Sequence, residues 1–542
     1  MVASAPDWKA IGAQKKQSVL DKIPEAWRLS SATLAAAHED AELDVTGIPR
    51  ECGILTPDEV TITEAYDATA LLAKLAAAEY SALAVATAFC KRAAIAQQLT
   101  SCLTETFFDE ALERAKYLDA YLAEHKTPLG PLHGLPISIK DSFNYTGQET
   151  TLGFVSFVGK KVAKEHSALV KLLLDLGAVL YIKSNIPQTL MTADSENHVF
   201  GRTLNPHKLT LTAGGSSGGE GAVVAMRAAL LGVGTDIGGS IRVPALCCGT
   251  YGFRPSASRI PYGGQVSPNR AGSPGVLAAA GPLATSFRDV RLFMEAVLGA
   301  QPWKYDYSVL HAPWRKPAAD ATKKTTQLTI GLLPTDPAFP IHPPMRRALD
   351  SAIAKLTAAG HKLVPLGYVP SIAVANREIA EYYSLDPAVT AFKNIADSGE
   401  PMIRSVAESP FVSKRIGKLD MDDLYTLNAT RTQVMAAWHS IWMSTGMDVI
   451  LGPVCETTAM PHDTFGNTPY TTLYNYIDYP SIVIPHLKAD KDIDVGEGFI
   501  SYKPYNAEKT HGAPTGVQVA ARPQFDEELL DAAEIISEVL NA

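Results

Sequence analysis

The chemistry most visible in this chain lies in two groups of serines set among glycines. From Gly214 to Ser240 it reads GGSSGGEGAVVAMRAALLGVGTDIGGS, so Ser216 and Ser217 share one glycine-rich turn and Ser240 closes another. Small neighbours let a substrate approach a hydroxyl closely, and consecutive N–H groups in a Gly-Gly turn can converge on one oxygen. A nucleophile beside oxyanion donors is equipment for acyl transfer.

A serine hydroxyl needs a base. The G-x-S-x-G elbow of histidine-dependent hydrolases is absent, since the serines stand in GGSSGG and GGSIR. Of thirteen histidines only His133, in PLHGLP, adjoins a loop of the right kind, and it reads as a loop residue bonded to backbone. Lysine is the other choice. Ile137, Ser138, Ile139 and Lys140 alternate like a strand that carries a lysine out of apolar surroundings. With an ordinary pKa of about 10.4, about four lysines in ten thousand are neutral at pH 7. Burial that lowered the pKa by roughly 3 units, at about 4 kcal/mol, would make it a usable base. The spacing alone leaves a surface or ion-paired lysine as the alternative.

The surrounding pattern supplies elements to hold these groups. Leu169, Leu172, Leu173 and Leu176 mark a helical face, Gly177 ends it, and AVLYIK follows as a short buried strand. The same grammar returns in LTIGLL, the face of Leu349, Ile353 and Leu356, Gly360, and KLVPL. MDVILGPV is another core strand and FDEELLDAAEIISEVL an amphipathic closing helix. Between Asp67 and Glu124, Ala and Leu abound, Pro is absent and Ser81 is placed to cap, which predicts a helical layer. GEGAVVAMRAALLGVG, charged only at Glu220 and Arg227, reads as a buried helix, with Glu220 in its first turn facing the helix dipole. Residues 255–282 read as a structured loop.

PLHGLPISIKD, GGSSGGEGA and GVGTDIGGSIRVPA, in this order, resemble the amidase signature family. CKRAAIAQQLT, SNIPQTLM, FGRTLNP, DVILGPV and GAPTGVQVAARPQFDEELL extend the likeness to fungal acetamidase-type members over nearly the whole chain. The resemblance implies an α/β fold, a large mixed β-sheet core covered by helices on both faces, with residues 1–60 as a helical N-terminal arm and 61–542 as a single catalytic domain. It also implies a Ser, cis-Ser, Lys triad: Ser240 as nucleophile, Ser216 as bridge and Lys140 as base. The N–H groups of Ile237, Gly238, Gly239 and Ser240 would hold the oxyanion. Asp236 and Arg242 are expected to brace the turn as an ion pair, and Ser217 to orient the network. Leu190, Met191, Thr192, Ala193 and Asp194 are expected at the acyl pocket, together with loops such as TPYTTLYNYIDYP, where Tyr474, Tyr476 and Tyr479 read equally as helix packing.

Composition agrees with a small-molecule enzyme. The 542 residues are 46% hydrophobic and 19% charged, and the net charge of −9 is spread without a basic block, which argues against nucleic acid or an anionic membrane as partner. Six cysteines at irregular spacing read as reduced core thiols, Cys247, Cys248 and Cys455 included. The N-terminus lacks a signal-peptide core, so the expected location is cytoplasmic. The expected partner is a small amide, with a homodimer as a candidate assembly and neither cofactor nor metal. Two other readings compete: a partner-dependent glutamine amidotransferase subunit, and a non-catalytic binding protein that keeps the fold. The helical arm and acetamidase-like ends count against the first, and the joint presence of Lys140, Ser216 and Ser240 against the second.

Overall fold

The apolar runs read as core segments become strands. The computed structural model describes residues 7–39, 41–273, 275–315, 327–412, 415–496 and 505–542. Among these, eleven strands form the main sheet: β1 Leu103–Thr106, β2 Pro136–Lys140, β3 Val179–Ser184, β4 Leu231–Asp236, β5 Tyr251–Arg254, β6 Ala279–Ala284, β7 Thr329–Leu332, β8 Lys362–Pro365, β9 Val449–Pro453, β10 Ser481–Lys488 and β11 Pro514–Ala520. Their order is β1-β3-β2-β4-β6-β5-β10-β11-β9-β7-β8. Pairing is parallel within β3-β2-β4 and within β9-β7-β8, and antiparallel elsewhere, so the sheet is mixed. Strands β2, β3, β4, β6, β9 and β11 are buried at every residue, the mark of a sheet covered on both faces.

Local signals account for many boundaries. Ser81 Oγ accepts from the Ala84 N–H at 3.0 Å and starts the helix Ala82–Thr100. Gly177 and Gly360, at φ +92° and +88°, follow the helices Ala168–Asp175 and Pro343–Ala358 and turn the chain into β3 and β8. The closing helix is Asp526–Asn541.

Three expectations are corrected. The helical layer is interrupted by β1, whose residues are all buried against β3, because sheet pairing outweighs the propensity of a four-residue stretch. The presumed buried helix from Glu220 onward is a helix, Gly218–Ala225, followed by β4: Arg227 takes φ +51° and breaks the run, and LGVGTD pairs with β2 and β6. TPYTTLYNYIDYP is not a loop but carries the helix Pro469–Tyr476, with Tyr474 stacked on Tyr479.

Residues 7–64 carry the helices Trp8–Asp21, Ser31–Glu39, Ile48–Glu51 and Pro57–Glu64. Lys15 pairs with Glu105 on β1 and with Glu149 at 3.0 Å, and the Val45 N–H donates to the Pro206 carbonyl at 2.8 Å. The first six residues, where the expectation about a signal peptide begins, lie outside the described residues. Among the described residues no helix is long and apolar enough to cross a membrane.

The parallel strands β2 and β4 are neighbours, with Ser138 opposite Gly232 and Ile139 opposite Val233. Their carboxyl ends therefore bring Lys140 and the turn after Asp236 to one edge of the sheet, where α/β folds place their ligands. The helix Gly218–Ala225 begins beside them only because its start is glycine: a Cβ on Gly219 would lie 2.3 Å from the Asn185 nitrogen and 2.6 Å from the Cys102 oxygen. Gly219→Ala should lower the melting temperature through overpacking of about 1–3 kcal/mol. Gly299→Ala, where a Cβ meets nothing within 4 Å, should not, and scanning fluorimetry compares the two.

Candidate active site

Lys140 is the last residue of β2 and is fully buried. Its Nζ lies 2.7 Å from Ser216 Oγ, 2.9 Å from Thr235 Oγ1 and 3.4 Å from the Thr235 carbonyl. Burial lowers its pKa to about 7, against the opposing pull of Asp236 and Glu220. The amine is thus poised to lose its proton near neutrality. Glu220 occupies the first turn of its helix, but it is buried and accepts from Ser138 Oγ at 2.5 Å. Burial raises its carboxyl to about 7, so its solvation sets its state more than the helix dipole does.

The Gly215–Ser216 peptide is cis, and Gly215 admits no Cβ because the Thr192 oxygen would lie 2.3 Å away. Ser216 is 2% exposed, whereas Ser240 is partly exposed. The Ser217 N–H donates to the Ser240 carbonyl at 3.1 Å and joins the two serine turns. Ser217 Oγ donates to the Thr235 carbonyl at 3.3 Å, which ties its turn to β4. Ser240 Oγ has no hydrogen-bond partner among the described residues, and no bond joins it to Ser216.

Asp236 and Arg242 form a buried ion pair with two contacts of 3.0 Å. Burial would raise the Asp236 carboxyl, but Arg242, then Arg254 and Asn475, hold it far below the usual range. Arg242 also donates to Gln518 at 2.8 Å and to the Thr471 carbonyl at 3.0 Å, so the C-terminal third of the chain holds the turn that carries Ser240. Of the four N–H groups expected to face an oxyanion, that of Gly239 donates to Asp236 Oδ1 at 2.8 Å. Those of Ile237, Gly238 and Ser240 have no acceptor among the described residues.

Ser240 opens on a cavity of about 330 Å³ lined by residues 190–193, Gly215, the 237–240 turn, Val243, Tyr383, Phe411 and Thr468. Leu190, Met191, Thr192 and Ala193 are therefore beside the hydroxyl as expected. Asp194 is not. It lines a neighbouring cavity of about 630 Å³, and its carboxylate accepts from Thr212 Oγ1 and the Asp463 N–H, both at 2.8 Å. A third cavity, of about 380 Å³, shares Met191, Tyr383 and Phe411 with the first. His133 sits apart and its Nδ1 accepts from the Leu129 N–H at 3.1 Å, a loop role. The six cysteines are free, and Cys247, Cys248 and Cys455 are buried. Thr468 and Thr471 belong to the segment TPYTTLYNYIDYP expected near the pocket, and Thr468 lines the cavity, whereas Thr235, Tyr383 and Phe411 escaped sequence reasoning. Thr235 adjoins the DIGGS turn and offered a weak signal, while Tyr383 and Phe411 are remote in the chain and share no spacing with it.

Comparison with known proteins decides the class of this site. The chain matches the Amidase family over residues 84–530. It belongs to that family. It is 40% identical over 538 residues to an amidase of Gibberella moniliformis, covering 99% of both chains. It is 39% identical to an acetamidase of Emericella nidulans, covering 98% of each. A solved fatty acid amide hydrolase superposes with a TM-score of 0.93 at 32% identity, over 100% of this chain and 98% of the other. A bacterial aryl acylamidase superposes at 0.70 with 22% identity, over 88% and 96%, which shows the shared fold. This amidase is accordingly a hydrolase of carbon–nitrogen amide bonds built on the amidase signature fold.

Asp236→Asn would leave buried Arg242 without its counter-charge, a loss of about 3–5 kcal/mol. Thermal denaturation should show a clear drop in melting temperature, larger than for a surface Asp→Asn change such as Asp422→Asn.

Proposed function

We propose that this amidase hydrolyses a small-molecule carboxylic amide through an acyl-enzyme on Ser240, with Ser216 as proton bridge and Lys140 as base. The observation that carries the reading is a buried lysine amine, its pKa lowered to about 7, 2.7 Å from a buried hydroxyl that shares a site with an accessible one. Neutral Lys140 takes a proton from Ser216 as Ser216 takes one from Ser240, so no free alkoxide forms in water. Ser240 Oγ, held by no partner, is free to turn between Ser216 and the substrate carbonyl. The oxyanion meets the N–H groups of Ile237, Gly238 and Ser240, while Gly239, with its own N–H on Asp236, shapes the turn. On collapse the proton returns through Ser216 to the departing nitrogen. Water then attacks the ester carbonyl and releases a carboxylic acid, so the products are a carboxylate and ammonia or an amine. Ser217, Asp236 and Arg242 keep this geometry without touching substrate. In this reading residues 1–60 are an arm on one catalytic unit spanning 61–542.

Leu190, Met191, Val243 and Phe411 make the acyl side beside Ser240 apolar, and the neighbouring cavity that shares Met191 and Phe411 adds Val389, Ala391, Phe392 and Ile416 together with Asn269, Ser384, Asp386 and Thr390. This supports apolar acyl groups larger than acetyl. A release assay over acetamide, hexanamide, benzamide and their anilides should give higher kcat/KM for the larger acyl groups. Acetamide as the preferred substrate would refute that part.

Ser240→Ala should lose all but a few per cent of turnover while keeping its melting temperature, because it removes a hydroxyl and little volume. The pH profile tests the base. The neutral amine is the active form, so kcat/KM should rise through about pH 7 and level off above it. Lys140→Ala should be about 10²–10⁴-fold slower and lack that limb. An unchanged limb would assign the base elsewhere.

A further inference from the structure

Each carbonyl of the nucleophile turn is tied back to the protein, which aims the N–H on the opposite side of the same planar trans peptide. The Gly239 carbonyl accepts from the Val243 N–H at 2.7 Å, and the Ser240 carbonyl from the Ser217 N–H at 3.1 Å. These ties are backbone and follow from the fold. The Gly238 carbonyl accepts from Thr471 Oγ1 at 2.8 Å and Thr468 Oγ1 at 3.1 Å, and the N–H of that peptide is held by Asp236, so three side chains share its orientation. The peptide between Ile237 and Gly238 is different. Its carbonyl accepts from Tyr383 Oη, the one hydrogen bond made to it among the described residues, and its N–H has no acceptor there.

We infer that Tyr383 is a positioning residue that holds the Ile237 carbonyl outward and thereby presents the Gly238 N–H to the oxyanion. The inference rests on the proposed acyl-enzyme reading and adds to it a side chain that no spacing in the sequence connects with the nucleophile.

Glycine at 238 has to be fixed from outside. With no side chain of its own to resist rotation, the 237–238 peptide keeps its direction only through its partners. The fit is close: a Cβ on Gly238 would lie 3.0 Å from Tyr383 Oη, so the tyrosine sits directly against the turn. Tyr383 ends the helix Ile372–Tyr383, which packs against Pro469–Tyr476, the helix that carries Thr471. Burial pushes the Tyr383 phenol far above its ordinary pKa, so it stays a protonated donor at every working pH. It also lines both the Ser240 cavity and the neighbouring cavity that shares Met191 and Phe411 with it, which places one side chain against both the oxyanion turn and the substrate cavity.

The test is Tyr383→Phe, which keeps the ring in both cavities and removes only the donor. Steady-state kinetics on an amide that the wild-type enzyme turns over should show kcat lower by about 10²-fold, the usual loss for one oxyanion donor, with KM changed less than about threefold. A trifluoromethyl ketone, which forms a tetrahedral oxyanion adduct on the nucleophile, should lose affinity in parallel with kcat/KM, while the affinity of the product carboxylate stays unchanged. The acid limb of the pH profile should not move, since Lys140 is untouched. Thr471→Val should be much milder, because Thr468 and Asp236 still hold the neighbouring peptide. A Tyr383→Phe enzyme with kcat within about threefold of wild type overturns the inference, as does a loss confined to KM, which would make Tyr383 a substrate contact only. Ser240→Ala measured in the same assay keeps the two readings apart. An active Ser240→Ala enzyme removes the acyl-enzyme proposal itself, whereas an inactive one beside an unimpaired Tyr383→Phe enzyme removes only the role of Tyr383.

Discussion

A lysine amine sealed from water, with hydroxyl and carbonyl oxygens as its hydrogen-bond partners, is the constraint that organises this molecule. Lys140 makes no ion pair among the described residues, and the carboxyls that bear on it, Asp236 and Glu220, are each engaged elsewhere. Deprotonation is the cheapest way for such a group to escape its desolvation penalty. The parallel pairing of β2 with β4, the helix Gly218–Ala225 and the tight glycine packing beneath it all serve to exclude water from that amine. Admitting water to that amine would raise its pKa back toward the ordinary value, because burial is the main cause of the lowering.

The second organising feature is the Asp236–Arg242 pair. It is expensive to bury and is retained where it bears directly on the turn that carries Ser240. Through Asn475, Gln518 and the Thr471 carbonyl it couples the Ser240 turn to strands and helices hundreds of residues further along the chain. Thr468, Thr471 and Tyr383 grip the outer side of the same turn. In the proposed mechanism the oxyanion site is consequently a product of the whole sheet, in which the N-terminal half supplies the proposed reacting groups and the C-terminal half supplies the grip. The cavity obeys the same division, with residues 190–193 on one wall and Tyr383, Phe411 and Thr468 on the other.

Much of the fold was legible because it rests on local rules. Ser81 caps its helix, Gly177 and Gly360 turn helices into strands, and the Ile137–Lys140 alternation is a strand end. The misread strands share one cause, which is long-range pairing overriding local preference. Leu103–Thr106 has no strand signature beyond its neighbours, yet the edge of β3 recruits it. LGVGTD belongs to a run of helix-compatible residues, yet it lies between β2 and β6, and glycines there make room for Glu220 and Ser217. Asp194 follows directly on four cavity residues, but Thr212 and the Asp463 N–H draw its carboxylate into a different network.

The sequence by itself determined which atoms are available for chemistry. Two glycine-flanked serine turns, a lysine at the end of an apolar strand and an acid and a base flanking Ser240 are matters of residue type and short spacing, and those survive in one dimension. The tertiary structure alone decided how far apart they are, what charge they carry and which N–H groups remain free. Desolvation of Lys140 requires neighbours from strands and turns remote in the chain, Ser216 and Thr235 among them. The direction of the Gly238 N–H depends on a tyrosine well over a hundred residues away. Both are properties of packing, which no local pattern encodes.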